Sequence, residues 1–141
     1  MSDINYQINT YIASIEEPKR SELQDLHECI LAMKPGCKLW YLDGKNSEGK
    51  VIANPNIGYE TQFLQYADRS SREFYQVGIS ANSTGISVYI MGFPDKNYLQ
   101  QNFGAQLGKA SVTGYCIKFK SLKDINLEVL KAACRARFDF V

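Results

Sequence analysis

The chain has a single histidine in 141 residues. Any Cys–His or Ser–His catalytic pair must therefore use His27, which leaves nucleophilic catalysis one candidate base. The four cysteines, Cys29, Cys37, Cys116 and Cys134, include no C-x-x-C pair, which removes the usual zinc and thiol-redox signatures. No apolar run approaches the ~20 residues needed to span a bilayer. The opening "MSDINYQINTYIASIEEPKR" has no basic segment followed by an apolar block, so no membrane association and no secretory signal are expected. The expected compartment is the cytoplasm, where the cysteines stay reduced. Charge of one sign is not in excess either. The net charge is +1, and nucleic acid is not an expected partner. No paired-carboxylate motif stands out, so an enzyme is not the expected reading.

One stretch imitates a phosphate loop. In "GAQLGKAS", Gly104 to Ser111, only three residues separate the glycines, and Ala110 stands where a hydroxyl should contact Mg²⁺. A phosphate loop needs G-x-x-x-x-G-K-[ST] between a strand and a helix. Here a short helix precedes the motif and a strand follows, so ATP is excluded and the stretch reads as the connection delivering the last strand.

What is present is an ordinary globular mixture, 45% apolar and 22% charged. It suits one packed domain over residues 1–141. Nine Tyr and seven Phe favour a sizeable sheet. Ile8, Tyr11, Ile12 and Ile15 repeat at i, i+3, i+4, i+7 and predict a first helix, with Asn5 as its cap. Pro18 suits the first turn of a second helix, with Glu16 and Glu17 at its positive end. That helix turns Leu23, Leu26, Ile30 and Met33 inward, with Leu31 at the margin, and stops at "KPG". The period then changes to two. Strands are expected in "CKLWYLD", "KVIAN", "YETQFLQYA", "REFYQVGIS", "GISVYIMGF" and "TGYCIKFKSL", with a short helix around Tyr98 to Phe103 and a closing helix in "DINLEVLKAACRARF". Helices, then strands, then a helix indicate an α+β fold. The expected architecture has two layers: an antiparallel sheet of five or six strands, with the N-terminal helices and the C-terminal helix packed on one face.

Alternation assigns Tyr75, Val77, Ile79, Ile86, Val88, Ile90, Tyr115, Ile117 and Phe119 to the core face. The opposite face mixes aromatic and polar residues. A ligand surface is expected there from Trp40, Phe74, Gln76, Tyr89, Met91 and Lys118, with Tyr59 and Tyr66 as further contributors. Its occupant is a small molecule, a protein or a second copy of the chain in a homodimer. The charge is unevenly spread, with 8 basic against 12 acidic residues up to Asp95 and 8 against 3 from Lys96 onward. Lys109, Lys118, Lys120 and Lys123 cluster around the last strand, and Lys109 and Lys120 are candidate anion contacts. Glu22, Asp25 and Glu28 form a carboxylate row on the second helix, of the kind that holds hard metal ions. Leu26 beside His27 suggests a hydrogen-bonded packing role for the histidine.

Two long stretches carry a family likeness. "INTYIASIEEPKRSELQDLHECILAMKPGCKLWY" resembles the opening of the YdhG-like bacterial domains, with their Tyr-Ile-Ala helix, Pro-started Leu-rich helix, then Pro and a strand. "LGKASVTGYCIKFKSLKDINLEVLKAA" resembles their close, with Gly-Lys, a strand, Lys-Leu-x-Asp-Ile and a terminal helix. The likeness covers nearly the whole chain, and its motifs are structural more than chemical. It implies helices packed on an antiparallel sheet. One branch of this largely uncharacterised family is described as frataxin-like iron chaperones, so the resemblance offers iron as a ligand for Glu22, Asp25 and Glu28. Without that, no cofactor is expected, and the overall reading is a non-enzymatic ligand- or partner-binding protein.

Overall fold

A computed structural model describes residues 3–65, 71–93 and 95–140. Helix α1 (Ile4–Ala13) opens on Asp3, whose carboxylate accepts the Tyr6 N–H at 2.9 Å. Asp3 thus takes the capping role expected of Asn5, because its carboxylate reaches an amide that the helix leaves unpaired. Helix α2 (Lys19–Met33) follows Pro18. Glu17 accepts both the backbone N–H and the hydroxyl of Ser21, as an anion does at a helix's positive end. Strands β1 (Leu39–Leu42), β2 (Asn56–Gln65), β3 (Ser71–Asn82) and β4 (Gly85–Ile90) come next. A five-residue π-helix, Gln100–Gly104, runs into α3 (Ala105–Leu107), and then come β5 (Ser111–Val112) and β6 (Cys116–Phe119). A 3-10 turn, Leu122–Asp124, leads to α4 (Leu127–Asp139), whose cap Asn126 accepts the N–H groups of Glu128 and Val129.

The six strands form one antiparallel sheet in the order β1-β2-β3-β4-β6-β5. "KVIAN" does not become a strand. Only a single bridge, Lys45 to Val51, forms there, in the turn-rich loop that joins β1 to β2. The turn joining β2 and β3, with Tyr66, lies outside the described residues.

The helices cover one face. Ile8, Tyr11 and Ile12 of α1, Leu23, Leu26 and Ile30 of α2, and Leu130, Ala133 and Cys134 of α4 are buried against Ile57, Tyr59, Val77, Ile79, Val88, Ile90 and Ile117. Each fully buried Leu or Ile contributes roughly 1.5–3 kcal/mol. Three side chains tie the N-terminal helices to distant parts of the chain. The Tyr11 hydroxyl accepts the Ala81 N–H at 2.9 Å, Lys19 Nζ donates to the Asn82 carbonyl, and Glu22 binds the start of the 3-10 turn. At the far end of α4, buried Arg137 donates to the Met91 carbonyl, the Phe140 carbonyl and Gln62 Oε1.

Two residues leave the core face that alternation gave them. The Tyr75 ring occupies the space where side chains at Gly58 and Gly78 would begin; a Cβ there would lie 2.3 Å and 2.6 Å from its ring carbons. Gly78 stands between the inward-facing Val77 and Ile79, so Tyr75 covers the helix-free side. The physical reason is a break in the β2–β3 ladder. Glu60 adopts φ +63, and the regular pairing runs to Tyr59–Val77 and resumes at Thr61–Tyr75. Such an irregularity changes the inward–outward alternation beyond it. Tyr115 precedes β6 rather than belonging to it and is 54% exposed.

Candidate functional site

The helix-free face is organised by one register row. Trp40, Gly58, Gly78, Tyr89 and Cys116 stand opposite one another across five strands. The aromatic members rise at the sides, and the two glycines make a low centre that the Tyr75 ring fills. Trp40 meets Phe74 edge-on at 6.2 Å, Phe74 stacks on Tyr75 at 4.2 Å, and Tyr89 stacks on Tyr115 at 6.4 Å. Lys38 Nζ lies 4.7 Å from the centre of the Trp40 ring, and the Trp40 indole N–H donates to the Glu60 carbonyl. Around this row the surface is lined by small buried residues, Ser80, Ser87 and Cys116. Burial pushes the Tyr75 and Tyr89 hydroxyls and the Cys116 thiol up from their ordinary values. All three are therefore neutral at physiological pH, and none offers a ready nucleophile.

Polar atoms border the aromatic row. Gln76 Nε2 donates to the Thr61 carbonyl at 2.9 Å. Among the described residues, Gln76 Oε1 and Thr61 Oγ1 are buried without a hydrogen-bond partner, as is Asn56 Oδ1. An unpaired buried polar atom costs about 1–3 kcal/mol, so these three atoms are where the described residues leave hydrogen bonding unsatisfied. Lys118 stands exposed on β6, in register with Ser87 and Ser111. Met91 follows β4 and is half-buried. Of the expected face, Trp40, Phe74 and Tyr89 are joined through Tyr75, and Gln76 provides its acceptor. Tyr59 is not part of it. Its side chain is fully buried on the helix side, where its hydroxyl lies 2.7 Å from His27 Nδ1.

That contact gives the histidine its place. His27 is buried between α2 and the sheet, and burial lowers its pKa. Its hydrogen-bond partner is a tyrosine whose own pKa burial raises well above the ordinary value, so the pair is neutral. The four thiols are free; Cys116 and Cys134 are buried, and burial pushes Cys134 up to about 12.

The carboxylate row on α2 is used structurally at its first member. Glu22 accepts from the Ser121 hydroxyl at 2.8 Å and from the Leu122 N–H at 2.9 Å, one bond to each oxygen. Asp25 and Glu28 are both exposed. Among the described residues, no three His, Cys, Asp or Glu side chains gather closely enough to hold a metal ion. The expected set Glu22, Asp25 and Glu28 is not such a group among the described residues.

The lysines do converge. Lys109 and Lys120 line two adjoining hollows at one end of the sheet, with Lys118 in one and Lys123 in the other. Lys19 joins them from α2, a contribution invisible in the sequence, where it lies 90 residues before Lys109. "GAQLGKAS" supplies the edge of this region. Gly104 is helical, and only Gly108, at φ +99, makes the turn. Among the described residues, no helix is long and apolar enough to cross a membrane. Compared with known proteins, the chain matches no family model, no curated protein and no solved structure.

Proposed function

We propose that this chain is a non-catalytic binding protein of the YdhG-like kind, whose small-molecule ligand lies across the helix-free face of the sheet. The observation that carries this reading is the aromatic row from Trp40 to Tyr115 bordered by the unpartnered acceptors Gln76 Oε1 and Thr61 Oγ1. Rings at this spacing stack on planar groups, and rotation of the Gln76 or Thr61 side chain would turn its unpaired oxygen toward a ligand that presents an N–H or O–H. The neutral buried His27–Tyr59 pair, held away from that face, supports binding rather than catalysis. The YdhG-like likeness is supported by the packing of its two stretches. The opening one, Ile8–Tyr41, holds the second part of α1, all of α2 and most of β1; the closing one, Leu107–Ala133, holds β5, β6 and the first half of α4; and Glu22 of the first holds Ser121 of the second.

The experiment is a fragment screen of planar heterocycles bearing N–H donors, read by two-dimensional amide NMR. Shifts should gather at Gln76, Gly78, Tyr89 and Cys116, and Gln76→Leu should weaken the best fragment about tenfold. Shifts confined to other surfaces, or binding unchanged by Gln76→Leu, would refute the assignment. Concentration-dependent dimerisation with the same residues shifting would give the face to a second copy instead.

A further inference from the structure

Five lysines from separate parts of the chain meet at the end of the sheet where β3 turns into β4. Lys19 opens α2, Lys109 follows the turn at Gly108, Lys118 and Lys120 alternate along and just beyond β6, and Lys123 sits in the 3-10 turn. They line two adjoining hollows. One, of about 700 Å³, holds Lys19 and Lys123; the other, of about 480 Å³, holds Lys118; Lys109, Lys120 and Thr84 belong to both. Among the described residues, none of the five forms an ion pair. The carboxylates in the lining are Glu22 and Asp124. Glu22 bonds Ser121 and Leu122 rather than a lysine, but its charge still counts against the field. Five cations against two acids leave a concentrated positive field over a concave surface, the arrangement that collects anions.

Two of the four hydroxyls in the lining are spent. The Thr84 hydroxyl donates to Asn82 Oδ1, and the Ser121 hydroxyl donates to Glu22. Recognition falls mainly to the five ammonium groups, with the Ser83 and Ser111 hydroxyls beside them. An ammonium is a point charge without the planar fork that reads a carboxylate's shape. Such a site selects by the number and spacing of negative charges rather than by outline. Two hollows sharing Lys109 and Lys120 suit two linked anionic groups. We infer that this region binds a small molecule carrying two linked phosphate groups. The inference is independent of the ligand assigned to the aromatic row.

The test is calorimetric titration with inorganic pyrophosphate and, separately, orthophosphate, at low and at physiological salt. Pyrophosphate should bind at least tenfold more tightly than orthophosphate, and salt should weaken it. Lys109→Ala and Lys120→Ala, which remove the shared contacts, should each lower affinity about tenfold. Lys50→Ala, an exposed lysine in the loop before β2, should leave it unchanged. The lysines concerned are surface side chains, and circular dichroism will show whether the variants stay folded. Equal affinity for the two anions, equal loss in Lys50→Ala, or no heat at millimolar pyrophosphate would overturn the inference. So would a single-stranded oligonucleotide that displaces pyrophosphate at lower concentration, which would give the lysines to nucleic acid. Gln76→Leu should leave pyrophosphate binding intact, which separates failure here from failure at the aromatic face.

Discussion

Replacing Gly78 with Ala would place a methyl carbon 2.6 Å from Cε1 of Tyr75, 2.7 Å from Cζ and 2.9 Å from the hydroxyl oxygen. Carbon atoms pack at about 3.5–4.0 Å, so the ring must move by roughly 1 Å to meet that spacing. It has little room to do so, being only 4% exposed and stacked on Phe74. Overpacking of this kind costs about 1–3 kcal/mol. The reduced freedom of the unfolded chain returns up to about 1 kcal/mol, which leaves a net loss of about 1–2 kcal/mol. With a urea dependence of about 2 kcal/mol per molar, the unfolding midpoint should fall by about 0.5–1 M. The decisive comparison repeats the substitution in Tyr75→Leu, which shortens the side chain over the glycine. There Gly78→Ala should cost nothing or be mildly stabilising. If it costs the same in both backgrounds, within about 0.5 kcal/mol, the ring does not lie over Gly78 and the account of the helix-free face fails.

Arg137→Met should destabilise the fold by about 2–4 kcal/mol, because it removes bonds from a buried cation and strands Gln62 Oε1; thermal melting should recover partly in Arg137→Met/Gln62→Leu, and a purely additive double variant would deny the coupling. His27 has a folded-state pKa held below 6.5 by burial, so below about pH 6.5 the unfolded chain takes up the proton more readily. Stability should therefore be full above that pH and fall as pH drops, by up to about 1.4 kcal/mol per unit for this one proton; His27→Gln should flatten the decline between about pH 7 and 5. Alkylation of the native protein at about pH 8 should modify half-buried Cys29 and spare Cys134, whose thiol burial holds near 12; mass spectrometry showing equal rates would contradict that burial.

The layered architecture was readable because its cues are periodic and local. Leu23, Leu26 and Ile30 announce their helix face, and Val77 with Ile79 and Val88 with Ile90 announce the sheet's inner face. The candidate site was readable only in part. Trp40 and Tyr89 could be named because regular alternation carries each to the helix-free side, whereas Gln76 falls in the break of the β2–β3 ladder. Tyr75 could not, since its placement depends on a backbone irregularity at Glu60, and a left-handed glutamate leaves no pattern in a sequence. Tyr115 failed for a related reason, as alternation extrapolates back beyond a strand that begins at Cys116. Lys19 and Lys109 meet through topology alone. Arg137 looked like part of a basic tail, and nothing local shows that Met91, Phe140 and Gln62 surround it.

The bond from Glu22 to Ser121 and Leu122 spans 99 and 100 positions of chain, and Tyr11 waits for Ala81 across 70. During synthesis the N-terminal helices emerge first, yet the partners that fix them emerge last. β6 must enter between β4 and β5 before the 3-10 turn can receive Glu22. Contacts so distant in sequence slow folding, because loop closure precedes the reward. A nascent chain stalled before Ser121 would carry the apolar faces of α1 and α2 without their final anchorage, and would be the state most in need of a chaperone.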